Sequence, residues 1–155
     1  MIHADPSPRK TIIPIGWEAI HHDLRALAER LKPKAPWEGI VAVTRGGLVP
    51  AAILARELDI RLIDTLCAAS YADRTAGPVT ILKTPDLAMA NKGQDWLLID
   101  DIVDTGATVE VIRRYLPGAF FAALYAKPST KNKIDLFLHE AAADIWIEFP
   151  WERRI

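Results

Sequence analysis

Short, continuous apolar runs alternate with segments of helical periodicity along most of the chain. Such runs are typical of strands buried in a parallel sheet, and a 3.6-residue spacing indicates an amphipathic helix. The predicted strands are 39–44, 60–69, 79–82, 96–99, 119–126 and 145–151, with a short strand also expected at 11–13. The predicted helices are 17–31, 48–58 and 109–115. This alternation favours an α/β fold with a central, mostly parallel sheet flanked by helices.

The remaining segments have the composition of loops. Scattered prolines and charges indicate a loose N-terminal arm over 1–14. The polar segment Ser70–Pro78 is typical of a flexible loop that acts as a lid. Segments 86–93 and 131–143 are mixed and polar, and are expected to be connections. No linker or repeat divides the sequence, so a single domain over 1–155 is expected.

Composition narrows the class of protein. Half of the 155 residues are hydrophobic and a quarter are charged, as in an ordinary globular domain. Nineteen basic and 20 acidic residues give a formal charge of −1, which provides no global electrostatic basis for binding nucleic acid. The single cysteine, Cys67, lies in an apolar context and is expected to be a buried thiol.

The sequence also bears on location. No signal-peptide pattern opens the chain, and no apolar run approaches the ~20 residues that span a bilayer. A cytoplasmic location is therefore expected, and peripheral contact with the inner membrane stays open.

The strongest chemical signal is a buried strand that runs directly into acids. Two adjacent carboxylates, Asp100 and Asp101, follow the apolar run, and Asp104 opens the turn Asp104–Thr108. Backbone N–H groups and hydroxyls in such a turn, at the start of a helix, can surround a phosphate. Carboxylates at the end of the strand can take sugar hydroxyls or a divalent cation.

Two further turns follow predicted strands. Arg45-Gly46-Gly47 lies between a strand and a helix, which is a second phosphate-binding geometry, although a plain tight turn would have the same pattern. Lys127 follows the strand 119–126, where an exposed loop charge is the alternative. Because ligands bind at the carboxyl edge of an open α/β sheet, the three turns together indicate one site.

The residues then match a known family. Leu97–Gly106 reads Leu-Leu-Ile-Asp-Asp-Ile-Val-Asp-Thr-Gly and resembles the signature of type I phosphoribosyltransferases. Thr44–Pro50, Ala55–Leu58, Ala126–Pro128 and Trp146–Trp151 resemble purine-specific bacterial members of that family, in the same order. The resemblance implies the family's α/β fold, with a small hood formed by the C-terminal segment, about 128–155.

The resemblance also implies an activity. It is purine salvage: transfer of a 5-phosphoribosyl group from phosphoribosyl pyrophosphate (PRPP) to N9 of guanine or xanthine, and of hypoxanthine, with Mg²⁺ and release of pyrophosphate. Arg45 and Gly46 would bind the pyrophosphate, and the peptide at that turn can be cis in this family. Asp100 and Asp101 would face the ribose and the Mg²⁺–pyrophosphate unit, with Asp101 as the metal-linked acid. The rest of the PRPP site would be Ile102, Val103, Asp104, Thr105, Gly106, Ala107 and Thr108.

The same resemblance assigns the base site. Asp104 would exchange a proton at purine N7 as the general acid/base, although ordering of the loop by an Asx turn is the alternative. Lys127 would donate to purine O6, Trp146 would stack on the base, and the backbone of Ile147 would contact its 2-position edge. Glu152 would support that pocket. Without the resemblance, core or interface packing is the favoured interpretation of Trp146 and Trp151.

Two departures from the family pattern raise questions. Ala107 replaces the second glycine of the usual Asp-Thr-Gly-Gly-Thr loop, and it would hinder the loop only if its φ were positive. Arg74 lies earlier in the lid than the family's arginine, so the sequence leaves open which lid residue contacts pyrophosphate.

Alternatives to this activity stay open at the level of sequence. The chain could be a PRPP-sensing regulator without catalysis, or a phosphoribosyltransferase for another base. Family members are dimers or tetramers, so a homo-oligomer is expected, with a homotetramer as one form.

Overall fold

The computed structural model describes residues 10–70 and 77–153. Its strands are β1 (Thr11–Pro14), β2 (Gly39–Thr44), β3 (Ile63–Ser70), β4 (Val79–Lys83), β5 (Trp96–Val103), β6 (Phe120–Ala126), β7 (Leu136–Glu140) and β8 (Ile145–Glu148). Its α-helices are α1 (Trp17–Leu31), α2 (Leu48–Glu57), α3 (Asp86–Met89) and α4 (Ala107–Tyr115), and short 3₁₀ helices cover Lys32–Lys34 and Pro150–Glu152. The lid expected at Ser70–Pro78, including Arg74, lies mostly outside the described residues, as does most of the arm.

A six-stranded sheet in the order β4-β3-β2-β5-β6-β7 forms the centre of the fold. All neighbouring pairs are parallel except β3 and β4, which are antiparallel. The predicted α/β class with a mostly parallel sheet is thus confirmed. Among the described helices, none is long and apolar enough to cross a membrane.

Both faces of the sheet are buried, which explains why its central strands are apolar throughout. Alternate residues of β2 pack into two separate clusters: Ile40 and Ala42 lie against α1 and α2, whereas Val41 and Val43 lie with residues of α4. The five buried residues of α1, at helical spacing, are Ile20, Leu24, Leu27, Ala28 and Leu31. The helix predicted at 17–31 therefore has its predicted bounds.

The C-terminal segment differs from the expected arrangement. Within the predicted hood of about 128–155, β7 pairs with β6 and extends the central sheet. The smaller layer is a separate two-stranded parallel sheet of β1 and β8. The short strand expected at 11–13 thus exists, and pairing with β8 means that this part of the predicted arm is not loose.

Other departures are local. The connection expected at 131–143 contains β7, and the connection at 86–93 contains the short helix α3. The strand predicted at 145–151 ends at Glu148 and continues as a 3₁₀ turn. Cys67 on β3 is only partly buried, which corrects the expectation of a core thiol.

A buried threonine joins the carboxyl ends of the neighbouring strands β5 and β6. The Thr130 side chain is fully buried (0% exposed), and its hydroxyl donates to the carbonyl of Val103 at 2.8 Å. The same oxygen accepts the backbone N–H of Lys127 at 3.1 Å. Thr130 therefore fixes the carboxyl ends of β5 and β6 against each other.

Replacing Thr130 with valine keeps the shape of the side chain but removes both hydrogen bonds. We expect Thr130→Val to lower the free energy of unfolding by about 1 kcal/mol, because a buried hydrogen bond is lost while the Val103 carbonyl keeps the N–H of Lys127 as a donor. Thr80→Val on the exposed face of β4 is the matched control, expected to change stability by less than about 0.5 kcal/mol. Urea denaturation measures both, and an equal effect of the two variants would contradict this role for Thr130.

Candidate functional site

The three turns singled out in the sequence lie at neighbouring carboxyl ends of the sheet. Arg45 follows β2, Asp104 follows β5 and Lys127 follows β6, and these strands are adjacent in the order β2-β5-β6. The backbone N–H of Lys127 donates to the carbonyl of Val103 at 3.1 Å, next to Asp104. The fold therefore brings all three turns to one edge, as expected for an open α/β sheet.

The two adjacent acids serve different cavities. Asp101 lines a cavity of about 790 Å³ with Arg45 and Gly46, and Asp100 lines a second cavity of about 150 Å³ with the turn that follows β5. On a regular strand, residues three positions apart lie on opposite faces of the sheet. Ile99 and Ile102 of β5 nevertheless pack in the same core cluster, so the alternation is interrupted between them. Asp100 and Asp101 themselves still face different cavities, because successive side chains of a strand point to opposite faces.

The Asp101 carboxylate is held on three sides. Its Oδ1 accepts the backbone N–H of Ile102 at 2.7 Å, and its Oδ2 accepts the indole N–H of Trp151 at 3.2 Å. It also lies directly over Gly46, where an added Cβ would come within 2.4 Å of Oδ1. Only glycine permits this close approach. Asp101 is 7% exposed, and the Thr44–Arg45 peptide beside it is cis.

Burial and proximity make the acid pair costly to ionise. Burial, and then the charge of Asp101, raise the pKa of Asp100 well above its usual range. Burial also raises the pKa of Asp101, although hydrogen bonds from its neighbours oppose this shift. A divalent cation would relieve the repulsion, so the donor set fits Mg²⁺.

The metal would need few ligands from the protein. Among residues 10–70 and 77–153, no group of three His, Cys, Asp or Glu side chains is arranged to hold a metal ion. Mg²⁺ characteristically keeps several waters and binds through one or two carboxylates together with phosphate oxygens. Asp101, beside Arg45, matches that mode.

The turn after β5 forms a phosphate-sized cradle. The smaller cavity is lined by Asp100, Ile102, Val103, Asp104, Thr105, Gly106, Thr108 and Val109. The first N–H groups of a helix have no partner within it, and α4 begins at Ala107, directly at this cavity. The N-terminal end of a helix also carries partial positive charge, which favours an anion.

The structure answers the question about Ala107. Gly106 has φ of +79°, whereas Ala107 is the first residue of α4 and is not among the residues with positive φ. The family's second glycine can therefore be alanine here without backbone strain. At Gly106, by contrast, an added Cβ would come within 2.5 Å of Cδ of Lys133.

Lys127 is buried and connects β6 to the segment before β8. The residue is 5% exposed, and its ammonium donates to the backbone carbonyls of Ala142, at 2.7 Å, and of Ile145. An ammonium has three N–H donors, so one remains for a ligand. The alternative of an exposed loop charge is therefore wrong for Lys127.

Two residues expected to contact a base, Trp146 and Ile147, lie on β8, and Glu152 lies in the 3₁₀ turn that follows it. The Trp146 side chain is 44% exposed, with the ammonium of Lys10 5.3 Å from its ring centroid, whereas Ile147 is buried in the main core. Core packing is therefore ruled out for Trp146. Glu152 lines the larger cavity, and its carboxylate accepts the backbone N–H of Phe149 at 3.1 Å.

Sequence reasoning missed one contact in the site. The sequence favours packing for Trp151, and its ring does stack on that of Phe149, with ring centroids 4.8 Å apart and planes 7° apart. Its indole N–H nevertheless reaches the Asp101 carboxylate, 50 residues away in sequence. Only the Pro-Trp pair of the family resemblance could have drawn attention to it.

A mostly parallel α/β sheet with a phosphate-sized cavity at the carboxyl ends of its strands is typical of proteins that bind nucleotides or sugar phosphates. Comparison with known proteins identifies the family. The chain belongs to the phosphoribosyl transferase domain family, whose model matches residues 16–153. Two relatives are each called xanthine-guanine phosphoribosyltransferase. The one from Nitratidesulfovibrio vulgaris (strain DP4) is 45% identical over 147 residues, covering 94% of this chain and 88% of the relative. The one from Desulfotalea psychrophila is 51% identical over 144 residues, covering 92% and 88%.

Solved structures support the same family. The purine phosphoribosyltransferase from Pyrococcus horikoshii superposes with a TM-score of 0.78 and is 29% identical, covering 93% of this chain and 96% of that one. The xanthine-guanine-hypoxanthine phosphoribosyltransferase from Helicobacter pylori gives a TM-score of 0.74 at 28% identity, covering 92% and 94%.

The acid pair predicts a pH-dependent difference in stability. A raised pKa means that the folded protein binds the Asp100 proton more tightly than the unfolded chain, so this contribution is complete below pH ~4 and is lost as pH rises. We expect Asp100→Asn to stabilise the metal-free protein by about 1 kcal/mol at pH 8, or 2–4 °C in Tm, and by nothing near pH 4. Thermal unfolding across this range measures the difference. Exposed Asp144→Asn is the control, and a gain for Asp100→Asn that was the same at every pH would be inconsistent with the pKa shift.

Gly106 and Ala107 are expected to differ in how much a substitution lowers the stability of the protein. Gly106→Ala should cost about 1–2 kcal/mol, because alanine is disfavoured at positive φ and would also displace Lys133. Ala107→Gly should cost no more than about 1 kcal/mol, the helix-propensity difference. Urea denaturation compares the two, and a larger loss for Ala107→Gly would reverse the assignment.

Proposed function

We propose that this chain is a purine salvage enzyme that transfers the 5-phosphoribosyl group of PRPP to N9 of guanine or xanthine, and of hypoxanthine. The observation that carries the proposal is the meeting of Arg45, the acid pair and the phosphate cradle at one edge of the sheet. Arg45 and the backbone at Gly46 would bind pyrophosphate, and the acid pair would bind the ribose and the metal. The N-terminus of α4 would bind the 5′-phosphate. The names of the relatives at 45% and 51% identity support the choice of base.

PRPP would span the two cavities. Its pyrophosphate would lie by Arg45 and Gly46, and its 5′-phosphate would lie in the cradle formed by residues 104–108, with Ile102 and Val103 at its base. The ribose would then bridge the cavities beside Asp100, whose carboxylate can accept hydrogen bonds from sugar hydroxyls. The different surroundings of the two acids support this division.

Bound Mg²⁺ would neutralise charge on the pyrophosphate leaving group. The protein's contribution is the Asp101 carboxylate, fixed over Gly46, together with the Arg45 guanidinium in the same cavity. Fixed charges of this kind stabilise a developing anion at little cost in reorganisation.

The purine would be recognised by groups at the ends of β6 and β8. The remaining N–H of Lys127 would donate to O6 of a 6-oxopurine, and it would reject adenine, whose 6-amino group is itself a donor. Trp146 would stack on the base and the backbone of Ile147 would contact its 2-position edge. The two hood carbonyls that hold Lys127 support a fixed direction for this donor.

In the reaction, N9 attacks C1′ of the ribose as the bond from C1′ to pyrophosphate breaks. Asp104, exposed at the start of the turn, would take the purine proton at N7 and act as the general base. Most of the rate enhancement would come from holding the two substrates in line and from stabilising the departing pyrophosphate.

Assembly and location complete the proposal. A homo-oligomer, either a dimer or a tetramer, is proposed from the family resemblance alone. A cytoplasmic location is supported by the substrate, since a polyanion such as PRPP does not cross a bilayer unaided. Peripheral contact with the inner membrane gains no support from the described residues.

The decisive experiment measures pyrophosphate release from PRPP and Mg²⁺ with guanine, xanthine, hypoxanthine and adenine in turn. We expect turnover with the 6-oxopurines and none with adenine. Asp104→Asn, with an isosteric side chain that cannot accept a proton, should lower kcat by about 10²–10⁴-fold. Binding of PRPP without turnover of any base would favour a sensing regulator, and turnover of adenine alone would favour a transferase for another base.

A further inference from the structure

Trp151 makes a contact that neither stacking nor packing requires. Its indole ring lies parallel to that of Phe149, a fully buried residue, and 6.0 Å from the ring of Trp17 at the start of α1. These contacts already fix the plane of the indole. Within that plane, the N–H donates to Oδ2 of Asp101 at 3.2 Å.

The geometry around Asp101 shows what this bond controls. The backbone N–H of Ile102 holds Oδ1 of Asp101, and contact with Gly46 limits how closely the carboxylate approaches the backbone there. These two contacts leave the carboxylate free to rotate about its bond to Cβ. The bond from Trp151 sets that rotation. Trp151 also lines the same cavity as Arg45 and Asp101, so it lies where the pyrophosphate would enter.

We propose that Trp151 is a positioning residue that orients the Asp101 carboxylate toward the Mg²⁺–pyrophosphate unit and thereby couples the C-terminal segment to PRPP binding. The inference rests on the proposed function. Partners that orient a metal-binding side chain typically contribute 10–100-fold to metal affinity. Trp151 therefore acts on binding of the Mg²⁺ complex and leaves binding of the base unchanged.

Trp151→Phe is the informative variant because phenylalanine keeps an aromatic ring against Phe149 but has no N–H donor, and the smaller ring is matched in the control. Trp17→Phe is the matched control, since it makes the same change in the same aromatic cluster without a bond to Asp101. Calorimetry should show Mg²⁺–PRPP binding weakened about tenfold in Trp151→Phe. We expect it to stay within about twofold in Trp17→Phe, which alters none of the three contacts to the carboxylate.

A double-mutant cycle tests whether Trp151 acts through Asp101. In an Asp101→Asn background the further change Trp151→Phe should have no additional effect, because there is no longer a carboxylate to orient. Additive losses would show that Trp151 acts elsewhere and would overturn the inference. The KM for guanine should be unchanged in Trp151→Phe, and a rise in that KM equal to the loss of PRPP affinity would also overturn it.

Fluorescence gives a readout that is independent of turnover. Mg²⁺–pyrophosphate should change the tryptophan emission of the wild-type protein, and this change should disappear in Trp151→Phe but persist in Trp17→Phe. An unchanged signal in Trp151→Phe would count against the inference while leaving the proposed function intact. A wild-type protein that fails to bind Mg²⁺–PRPP would overturn the proposed function and, with it, the inference.

Discussion

Two carboxylates side by side at the end of a buried strand are the constraint on which the site depends. Asp100 and Asp101 are hard to ionise together because burial and mutual repulsion both favour protonation. A protein gains nothing in stability from such a pair. A cationic or hydroxyl-rich ligand in the two cavities that the acids line, such as Mg²⁺ and a ribose, would offset this cost.

The residues around the acid pair fix the positions of its carboxylates and of the neighbouring turns. Gly46 admits the Asp101 carboxylate at a distance that any side chain would prevent, and Trp151 sets its rotation. On the other side, the positive φ of Gly106 turns the chain into α4, so that the helix start faces the cavity beside Asp100. Thr130 locks the ends of β5 and β6, which keeps Lys127 next to this turn.

Much of this arrangement is local and could therefore be predicted from the sequence. The bounds of α1, the start of the strand that carries the acids and the three turns follow from periodicity and from residues close together in the chain. That strand was predicted over 96–99, but β5 continues through both acids to Val103. What could not be predicted depends on contacts over long separations. Strand β7 is partly exposed at a sheet edge, and its short apolar run lies within a polar segment, so the whole segment resembles a loop. The bond from Trp151 to Asp101 joins residues 50 positions apart, and stacking alone would have explained that tryptophan.

The central claim is that the two acids have separate tasks, with Asp101 serving the Mg²⁺–pyrophosphate unit and Asp100 the ribose. The most direct test is calorimetric titration of PRPP, with and without Mg²⁺, into Asp101→Asn and Asp100→Asn. The account predicts that Asp101→Asn binds PRPP equally well in both conditions. It predicts that Asp100→Asn binds more weakly than wild type but keeps the enhancement by Mg²⁺. Loss of the enhancement in Asp100→Asn, with its retention in Asp101→Asn, would contradict the claim.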